Sequence, residues 1–118
     1  MNEVIIDSIR VGLRHYRRVV VLKEKDAERF LPIWIGADVA DSIAFRLQEV
    51  SSPRPLTHDL LMSMIDSLGG VIKSVVINDL REDTFYALIT IEKDNEIIEV
   101  DARSSDAIAI AVRASVPI

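Results

Sequence analysis

The sequence contains no cysteine, and it has only four glycines and one tryptophan among its 118 residues. Without thiols it can form neither disulfides nor thiolate metal sites, which favours a cytoplasmic protein. With so few glycines, a glycine-rich loop that cradles phosphates is not expected. No apolar run approaches the roughly 20 residues that cross a bilayer, so we expect no membrane association.

The negative balance of charge restricts the class of partner. The formal net charge is −5, whereas general nucleic-acid binders neutralise several phosphates with a basic surface. Any contact with DNA or RNA must therefore use a local patch. One basic cluster lies near the N-terminus, and two interpretations of it stay open, a solvated hairpin face or a track for phosphates. Its members are Arg10, Arg14, His15, Arg17, Arg18 and Lys23.

The periodicity of the apolar residues predicts three strands, two helices, three strands and a helix. We expect strands over residues 3–13, 19–22, 30–35, 71–80, 84–92 and 96–102. Two helices follow Gly36 and begin at about Asp38 and at Thr57, which is a plausible N-cap. The pattern predicts an α+β fold with mostly antiparallel strands in two meanders packed against three helices. The length fits a single domain over residues 1–118.

Several packing expectations follow from the same periodicity. The first strand should place one set of apolar residues on a single side: Ile5, Ile9, Val11 and Leu13. The second helix should bury a stripe: Leu60, Leu61, Met64, Ile65 and Leu68. Pro32 cannot donate to a ladder, so the third strand should lie at an edge or begin near the proline.

The third strand also indicates assembly. Residues 30–35 form an apolar edge strand, and such an edge is usually covered, so we expect a homo-oligomer. For Trp34, a place in the core or in a subunit contact is favoured over a platform on which bases stack.

The stretch from Asp101 to Ala111 is the most informative part of the chain. A strand ends there and a short, alanine-rich helix begins. Three ionisable groups, Asp101, Arg103 and Asp106, are crowded into six residues together with two hydroxyls. Backbone N–H groups and side chains converge at such corners, which makes this one a candidate site.

Four blocks of the sequence, in this order, carry a resemblance to a known family. They are Leu31-Pro32-Ile33-Trp34-Ile35-Gly36, Pro53-Arg54-Pro55-Leu56-Thr57-His58-Asp59-Leu60-Leu61, Asp79-Leu80 followed by Thr84-Phe85-Tyr86-Ala87, and the Asp101 corner. Together they resemble the bifunctional nuclease domain family from the first strand to the C-terminus. The resemblance implies a compact α+β domain, and nuclease activity on DNA and RNA has been described for some members.

The sequence departs from the family pattern in two places. Ser104 stands where proline is usual in the Arg-Pro-Ser-Asp-Ala motif, which should loosen the start of the last helix slightly. The neighbouring Asp101, Arg103, Ser105 and Asp106 are all retained. The chain also stops at residue 118, where many relatives continue, so we expect either a missing C-terminal extension or a minimal member.

Read as a nuclease, the chain offers a full set of candidate residues. His58 would act as general base or metal ligand with Asp59 as its partner. Asp101 and Asp106 would hold Mg²⁺ or Mn²⁺ across the corner, since both ions prefer oxygen ligands. The substrate, DNA or RNA, would be contacted by three further residues: Arg54, Arg103 and Ser105.

A structural interpretation of the same residues stays open. Thr57, His58 and Asp59 form an ordinary helix start, and Asp106 is a plausible helix-start acid. Asp101 could pair with Arg103 or Arg54. The protein would then be a non-catalytic oligomeric module. A catalytic cluster should be reachable from solvent and have unpaired acceptors, whereas a structural cluster should be buried with every group satisfied.

Overall fold

A computed structural model describes residues 2–11 and 18–118, and within them the elements follow the predicted order. The strands are β1 (Val4–Val11), β2 (Arg18–Glu24), β3 (Phe30–Ile35), β4 (Val71–Arg81), β5 (Thr84–Lys93) and β6 (Glu96–Arg103), and the helices are α1 (Ala37–Leu47), α2 (Thr57–Ser67) and α3 (Ser104–Ala114). The α+β fold is confirmed. Leu13, Arg14, His15 and Arg17, on which the sequence made predictions, lie outside the described residues.

The strands form two antiparallel meanders, a first sheet ordered β1-β2-β3 and a second sheet ordered β4-β5-β6. In the second sheet the hairpins turn at Glu82-Asp83 and at Asp94-Asn95. All four of these residues have positive φ, between 48° and 64°. Such φ values give turns whose twist matches that of the flanking strands.

Helix α3 lies between the two sheets and is the centre of the core. Ala107, Ile110 and Ala111 pack against the second sheet. Ile108 and Ala109 pack against the first sheet. All five are at most 1% exposed. The alanines let both sheets approach the helix closely, so the two meanders share one hydrophobic centre.

The predicted face of β1 was wrong in part. The register against β2 shifts between Ile6 and Ser8. An extra residue reverses the alternation of side chains that follows it. Ile9 therefore packs into the core, whereas Ile5 points outward. Val11 lies on the same side as Ile9 but is exposed at the end of the strand. The sequence pattern cannot show this because a bulge has no strong signature in apolar spacing.

The prediction for α2 was also wrong in two respects. Leu56, and not Thr57, is the N-cap, and Thr57 is the first helical residue. The helix does end as expected before Gly69, whose φ is +87°. Most of the predicted buried stripe is exposed, with Ile65 alone partly buried in the core. The exposed members are Leu60, Leu61, Met64 and Leu68, at 40–69%.

The third strand lies at an edge of the first sheet, as Pro32 predicted. Ile33 is buried, but Trp34 is 61% exposed. A place for Trp34 in the core is therefore wrong. Among the described residues, no helix is long and apolar enough to span a membrane.

Candidate functional site

The corner between β6 and α3 brings an arginine and a carboxylate together. Arg103 is the N-cap of α3, and Asp106 stands in the first turn. The Nε of Arg103 donates to Oδ2 of Asp106 at 2.9 Å. The predicted pairing of Asp101 with Arg103 or Arg54 was wrong, because Arg103 reaches forward along the helix to Asp106.

His58 connects this corner to the interior. The side chain is 7% exposed, and its Nε2 lies 2.9 Å from the second oxygen of Asp106. The Nδ1 lies 2.9 Å from Oγ of Ser42 on α1. The expected pairing of His58 with Asp59 was therefore wrong, since the hydrogen-bonded carboxylate comes from α3.

The order of donors along this chain of hydrogen bonds indicates the tautomer of His58. Arg113 donates from Nη2 to Oγ of Ser42 at 2.9 Å, so the hydroxyl proton is available for Nδ1 of His58. An ionised carboxylate only accepts. The chain is thus satisfied throughout when neutral His58 carries its proton on Nε2 and donates it to Asp106.

Arg113 also joins three helices from a buried position. The side chain is 6% exposed. Its Nε donates to Asp59 Oδ1 at 2.7 Å, and other N–H groups reach the carbonyl oxygens of Ser42 and Ala109. The second oxygen of Asp59 accepts from the Leu56 N–H at 3.0 Å. Within the described part of the chain, no buried polar side-chain atom lacks a partner.

The two carboxyl groups of this cluster favour their ionised forms. The hydrogen bond from Arg113 is the largest cause that lowers the pKa of Asp59, and burial opposes it. For Asp106, burial alone would raise the pKa. The hydrogen bonds from Arg103 and His58 outweigh burial, so the pKa of Asp106 is lowered.

An open cavity of about 760 Å³ lies over this corner. Four of the predicted site residues line it: His58, Asp101, Arg103 and Asp106. Helix α1 adds Asp38 and Asp41, and an apolar rim is formed by Phe45, Leu61 and Val100. The structure thus brings two of the three predicted carboxylates, Asp101 and Asp106, and one arginine to a single solvent-facing cavity. Asp59 does not line it.

Asp101 differs from Asp106 in its surroundings. It is exposed in β6, opposite Leu88 in β5. The next residue, Ala102, packs into the core beside α3. Because side chains alternate along a strand, that of Asp101 points away from the helices at the border of the cavity. It makes no hydrogen bond or ion pair within the part of the chain that is described.

Two of the predicted substrate contacts lie elsewhere. Arg54 is exposed before α2 and does not line the cavity. Ser105 is buried and lines a second depression, of about 390 Å³, together with Trp34. Arg103 borders both the cavity and this depression.

The cavity suits a metal ion that is held partly by substrate and water better than one held by protein ligands alone. No group of three or more His, Asp or Glu side chains among the described residues could hold an ion. Magnesium is often held by only one or two carboxylates, with water and substrate phosphates as the remaining ligands. Asp106 suits that arrangement, in which water and substrate complete the ligand set, whereas the side chain of Asp101 points away from the helices and would have to turn toward the cavity to join it.

Sequence reasoning did not identify two residues of the cluster, Ser42 and Arg113. Ser42 is a small polar residue next to Ile43, in the buried part of α1, and Arg113 is a basic residue that follows five buried apolar positions of α3. A polar residue inside an apolar pattern is a weak signal of a buried hydrogen bond. The sequence could have marked both residues, but it could not have paired them.

Comparison with known proteins shows the family of the chain. The bifunctional nuclease domain model matches residues 20–118, and the chain belongs to that family. It is 47% identical over 118 residues to an uncharacterised protein of Mycobacterium tuberculosis, covering all of this chain and 70% of the mycobacterial one. Bifunctional nuclease 2 of Oryza sativa subsp. japonica is 33% identical over 103 residues, which are 85% of this chain and 32% of the rice protein. Bifunctional nuclease 1 of Oryza sativa subsp. indica is 30% identical, with 84% and 31% covered.

Proposed function

We propose that this protein is a nuclease that hydrolyses phosphodiester bonds of DNA or RNA with the help of a divalent metal ion. The observation that carries the proposal is the cavity, which gathers Asp101, Asp106 and Arg103 on a solvent-facing surface. The family and the names of the rice relatives support the same chemistry.

The charge of the cavity supports the role of a metal. Four carboxylates line it, from Asp38, Asp41, Asp101 and Asp106, against the single guanidinium of Arg103. Such a surface repels a phosphodiester. A divalent ion, Mg²⁺ or Mn²⁺, held by Asp106 and by Asp101 once its side chain turns toward the cavity, would reduce the net charge of these five groups from −3 to −1. It would also give the phosphate a direct cationic contact that stabilises its developing charge. We therefore expect cleavage to require the ion strictly.

The side chains around the cavity divide the remaining work. Asp101 is exposed and without a partner among the described residues, so its carboxylate is free to accept a proton from water or to hold the ion. Arg103 uses its Nε for Asp106, which leaves its terminal N–H groups for a phosphate oxygen.

His58 is better suited to position Asp106 than to act as general base. Both ring nitrogens are engaged within the protein, and the side chain is buried. Its hydrogen bond, together with that of Arg103, fixes both carboxylate oxygens of Asp106. This proposal replaces the catalytic role that the sequence suggested for His58. Asp59 holds Arg113, which donates to Ser42 beside His58, so its effect on the site is indirect.

Cleavage of single- and double-stranded DNA and RNA, with Mg²⁺ or Mn²⁺ and with EDTA, tests the proposal. We expect activity only with metal, and a loss of about 100-fold or more in Asp101→Asn, as is usual for a group that transfers a proton. Glu99→Gln is a matched control, because Glu99 is exposed on the same strand and does not line the cavity.

Two results would contradict the nuclease proposal. One is the absence of cleavage by the folded wild type under every metal condition. The other is equal activity in the wild type, Asp101→Asn and Glu99→Gln, as a contaminant would give. Either result favours the second candidate function, a non-catalytic oligomeric module. A cytoplasmic location stays a prediction from sequence.

We also propose that the protein is a homo-oligomer, whether or not it is catalytic. The chain exposes 8088 Å². A monomer of 13.2 kDa is expected to expose about 6,400 Å². The surplus of about 1,700 Å² per chain is on the scale that subunits of stable homodimers bury.

The exposed stripe of α2 suits a contact between copies. Leu61, Met64 and Leu68 have the spacing of a helix–helix seam, Leu60 lies beside them, and none of the four is charged. By contrast, β6 carries Glu96, Glu99 and Asp101, and charged side chains disfavour the pairing of edge strands.

Light scattering on a size-exclusion column tests this assembly. We expect the wild type to be a dimer or larger and Met64→Glu to shift it to the monomer. Ile97→Glu is the control, since Ile97 is equally accessible, at 60%, on the second sheet. A wild type that is monomeric at all concentrations, or a Met64→Glu variant that keeps the wild-type mass, contradicts the proposed contact.

A further inference from the structure

The start of α3 contains two buried serines whose hydroxyl groups have no partner. Ser104 is 6% exposed and Ser105 is 7% exposed, and no hydrogen bond among the described residues includes either hydroxyl. In the same part of the chain, no fully enclosed side-chain oxygen lacks a partner. Both hydroxyl oxygens must therefore reach solvent, and the depression of about 390 Å³ that both serines line is where they do so.

We propose that this depression binds a phosphate group of the substrate, the neighbour of the phosphate that is cleaved in the cavity. The inference rests on the proposed function and adds a second phosphate site to it. Phosphate oxygens are strong acceptors, so such a site has to supply donors. The two unpaired hydroxyls are donors of this kind, and a buried polar group without a partner calls for an explanation.

The backbone at the start of α3 supplies further donors. The first N–H groups of an α-helix have no partner within the helix, and the positive end of the helix favours an anion. Arg103 is the N-cap, and no side chain makes a capping hydrogen bond there. Ser104 and Ser105 are the first two helical residues, so their N–H groups and their hydroxyls lie at the same end of the helix.

Arg103 connects the depression to the cavity. Its side chain lines both and is 71% exposed. Only the Nε is used within the described residues, for Asp106. The terminal N–H groups are thus available to two phosphates, one on each side of the guanidinium. Consecutive phosphates of one nucleic-acid strand would occupy the two sites.

Two carboxylates stand near the depression, and neither prevents the binding of an anion. Asp106 lies in the first turn of α3, but its two oxygens accept from His58 and Arg103, which offset its charge. Asp83 lines the depression and is exposed in a hairpin turn, where water and salt screen it. The neighbouring Thr84 adds another hydroxyl to the lining.

Ser104 contributes two donors that the fold does not require. The family pattern has proline at this position, a residue with neither a backbone N–H nor a hydroxyl. Proline suits the first helical position. Arg103 before it has φ −68° and ψ 147°, an extended conformation that a following proline tolerates. Ser104→Pro should therefore keep the helix and remove the two donors.

Titration of ¹⁵N-labelled protein with inorganic phosphate tests the site without cleavage. EDTA removes divalent ions, and chloride keeps the ionic strength constant. We expect saturable shifts of the amide signals of Ser104 and Ser105. The first turn of α2 is the control, because the carboxylate of Asp59 already accepts from the Leu56 N–H there, and its amide signals should not shift.

Variants separate a ligand site from a structural role. Ser105→Ala and Ser104→Pro should each weaken phosphate binding about tenfold, as the loss of a hydrogen bond to a charged group does. Asp83→Asn should strengthen it, because a repelling charge is removed. Ser67→Ala, at the exposed end of α2 and outside the depression, should bind like the wild type. The urea midpoint of Ser105→Ala should not fall, since its hydroxyl has no partner to lose.

A 12-nucleotide oligothymidylate in EDTA tests the source of the phosphate. It should shift the same amide signals and compete with inorganic phosphate. In cleavage, Ser105→Ala should raise KM about tenfold and leave kcat unchanged, because a phosphate that does not react is bound equally in the ground state and the transition state.

The outcomes separate this inference from the proposed function. Cleavage by a protein whose signals ignore phosphate, or equal phosphate binding by the wild type and both serine variants, overturns the inference and leaves the nuclease intact. A clear loss of stability in Ser105→Ala also overturns it. Binding of phosphate and oligonucleotide that the variants weaken, without cleavage, supports the site and removes the nuclease. Phosphate binding with which the oligonucleotide does not compete overturns the assignment to the substrate.

Discussion

The two sides of the hydrogen bond between His58 and Asp106 differ in how far their polar groups are satisfied. On the inner side, Ser42, Arg113 and Asp59 exchange hydrogen bonds in a closed set, and the Arg113 side chain is 6% exposed. On the outer side, Arg103 is 71% exposed and uses one donor. The inner side fixes geometry, and the outer side keeps capacity for a ligand.

This contrast changes how the structural and catalytic interpretations relate to each other. They are not alternatives for the whole set of residues, because each describes one half of it. His58 and Arg113 belong to the buried half, and Arg113 connects the partly exposed Asp59 to it. Asp101 and Arg103 belong to the open half, with Asp106 between the two. Substitutions on the two sides should therefore affect different measurements, and the following predictions use that difference.

The largest effect on stability is expected on the inner side. Arg113→Met keeps much of the side-chain volume but leaves Asp59 and Ser42 without their donor. Arg113 is buried, but the side chain of Asp59 is 41% exposed, so the cost should be smaller than for a fully buried charge pair, about 2–3 kcal/mol of unfolding free energy. Urea denaturation monitored by circular dichroism measures it. A loss below about 1 kcal/mol would mean that the buried network does not hold the helices together.

His58 should show an intermediate effect that depends on the substitution. His58→Ala leaves the proton of the Ser42 hydroxyl and one Asp106 oxygen without a partner, which costs about 1–3 kcal/mol. His58→Gln can still donate to Asp106, so its cleavage rate should stay within about tenfold of wild type. This retained activity is expected if His58 only positions Asp106. A loss of 100-fold or more in a folded His58→Gln protein would restore the general-base role.

Acid should act through the inner carboxylate in a defined direction. The pKa of Asp59 is lower in the folded state, chiefly because Arg113 donates to it. Its stabilisation is therefore present above the unfolded pKa of about 3.9 and is lost as the pH falls through the folded value. Urea midpoints should be steady from pH 7 to 5 and fall below about pH 4. Arg113→Met should flatten that fall, and an unchanged pH profile in the variant would contradict the assignment.

The smallest effect on stability is expected on the outer side. Arg103→Met removes an exposed ion pair, which contributes at most about 1 kcal/mol. The Kd for a labelled oligonucleotide and the KM for cleavage should nevertheless rise, because a phosphate contact is lost. If Arg103→Met is as unstable as Arg113→Met, the two sides are not distinct and the comparison fails.

Much of the fold could be predicted from local patterns. The order of strands and helices, the two hairpin turns and the edge position of β3 all follow from apolar spacing, turn residues and Pro32. The corner at Asp101 could be marked as a site because charged residues and hydroxyls stand where a strand becomes a helix. These features are encoded within a few residues, so the sequence shows them directly.

The errors have a common physical origin in what packs against each element. Apolar spacing shows that α2 has an apolar stripe, but not that His58, Met62 and Ile65 make its contacts while the stripe stays exposed. Likewise, the bulge in β1 puts Ile5 and Ile9 on opposite faces of the strand, although their spacing in the sequence predicts one face. Periodicity reports a surface, and only the neighbouring elements decide whether that surface is covered.

The sequence by itself determined the elements, their order, the family and the residue types at the corner, because these depend on local chemistry and spacing. Only the tertiary structure decided that Asp106 pairs with His58 and Arg103, that Arg113 connects to Asp59 across 54 positions, and that Ser104 and Ser105 line a depression together with residues of β3. Such pairings arise when α3 docks between the two sheets, and nothing local in the chain specifies which distant side chains then meet.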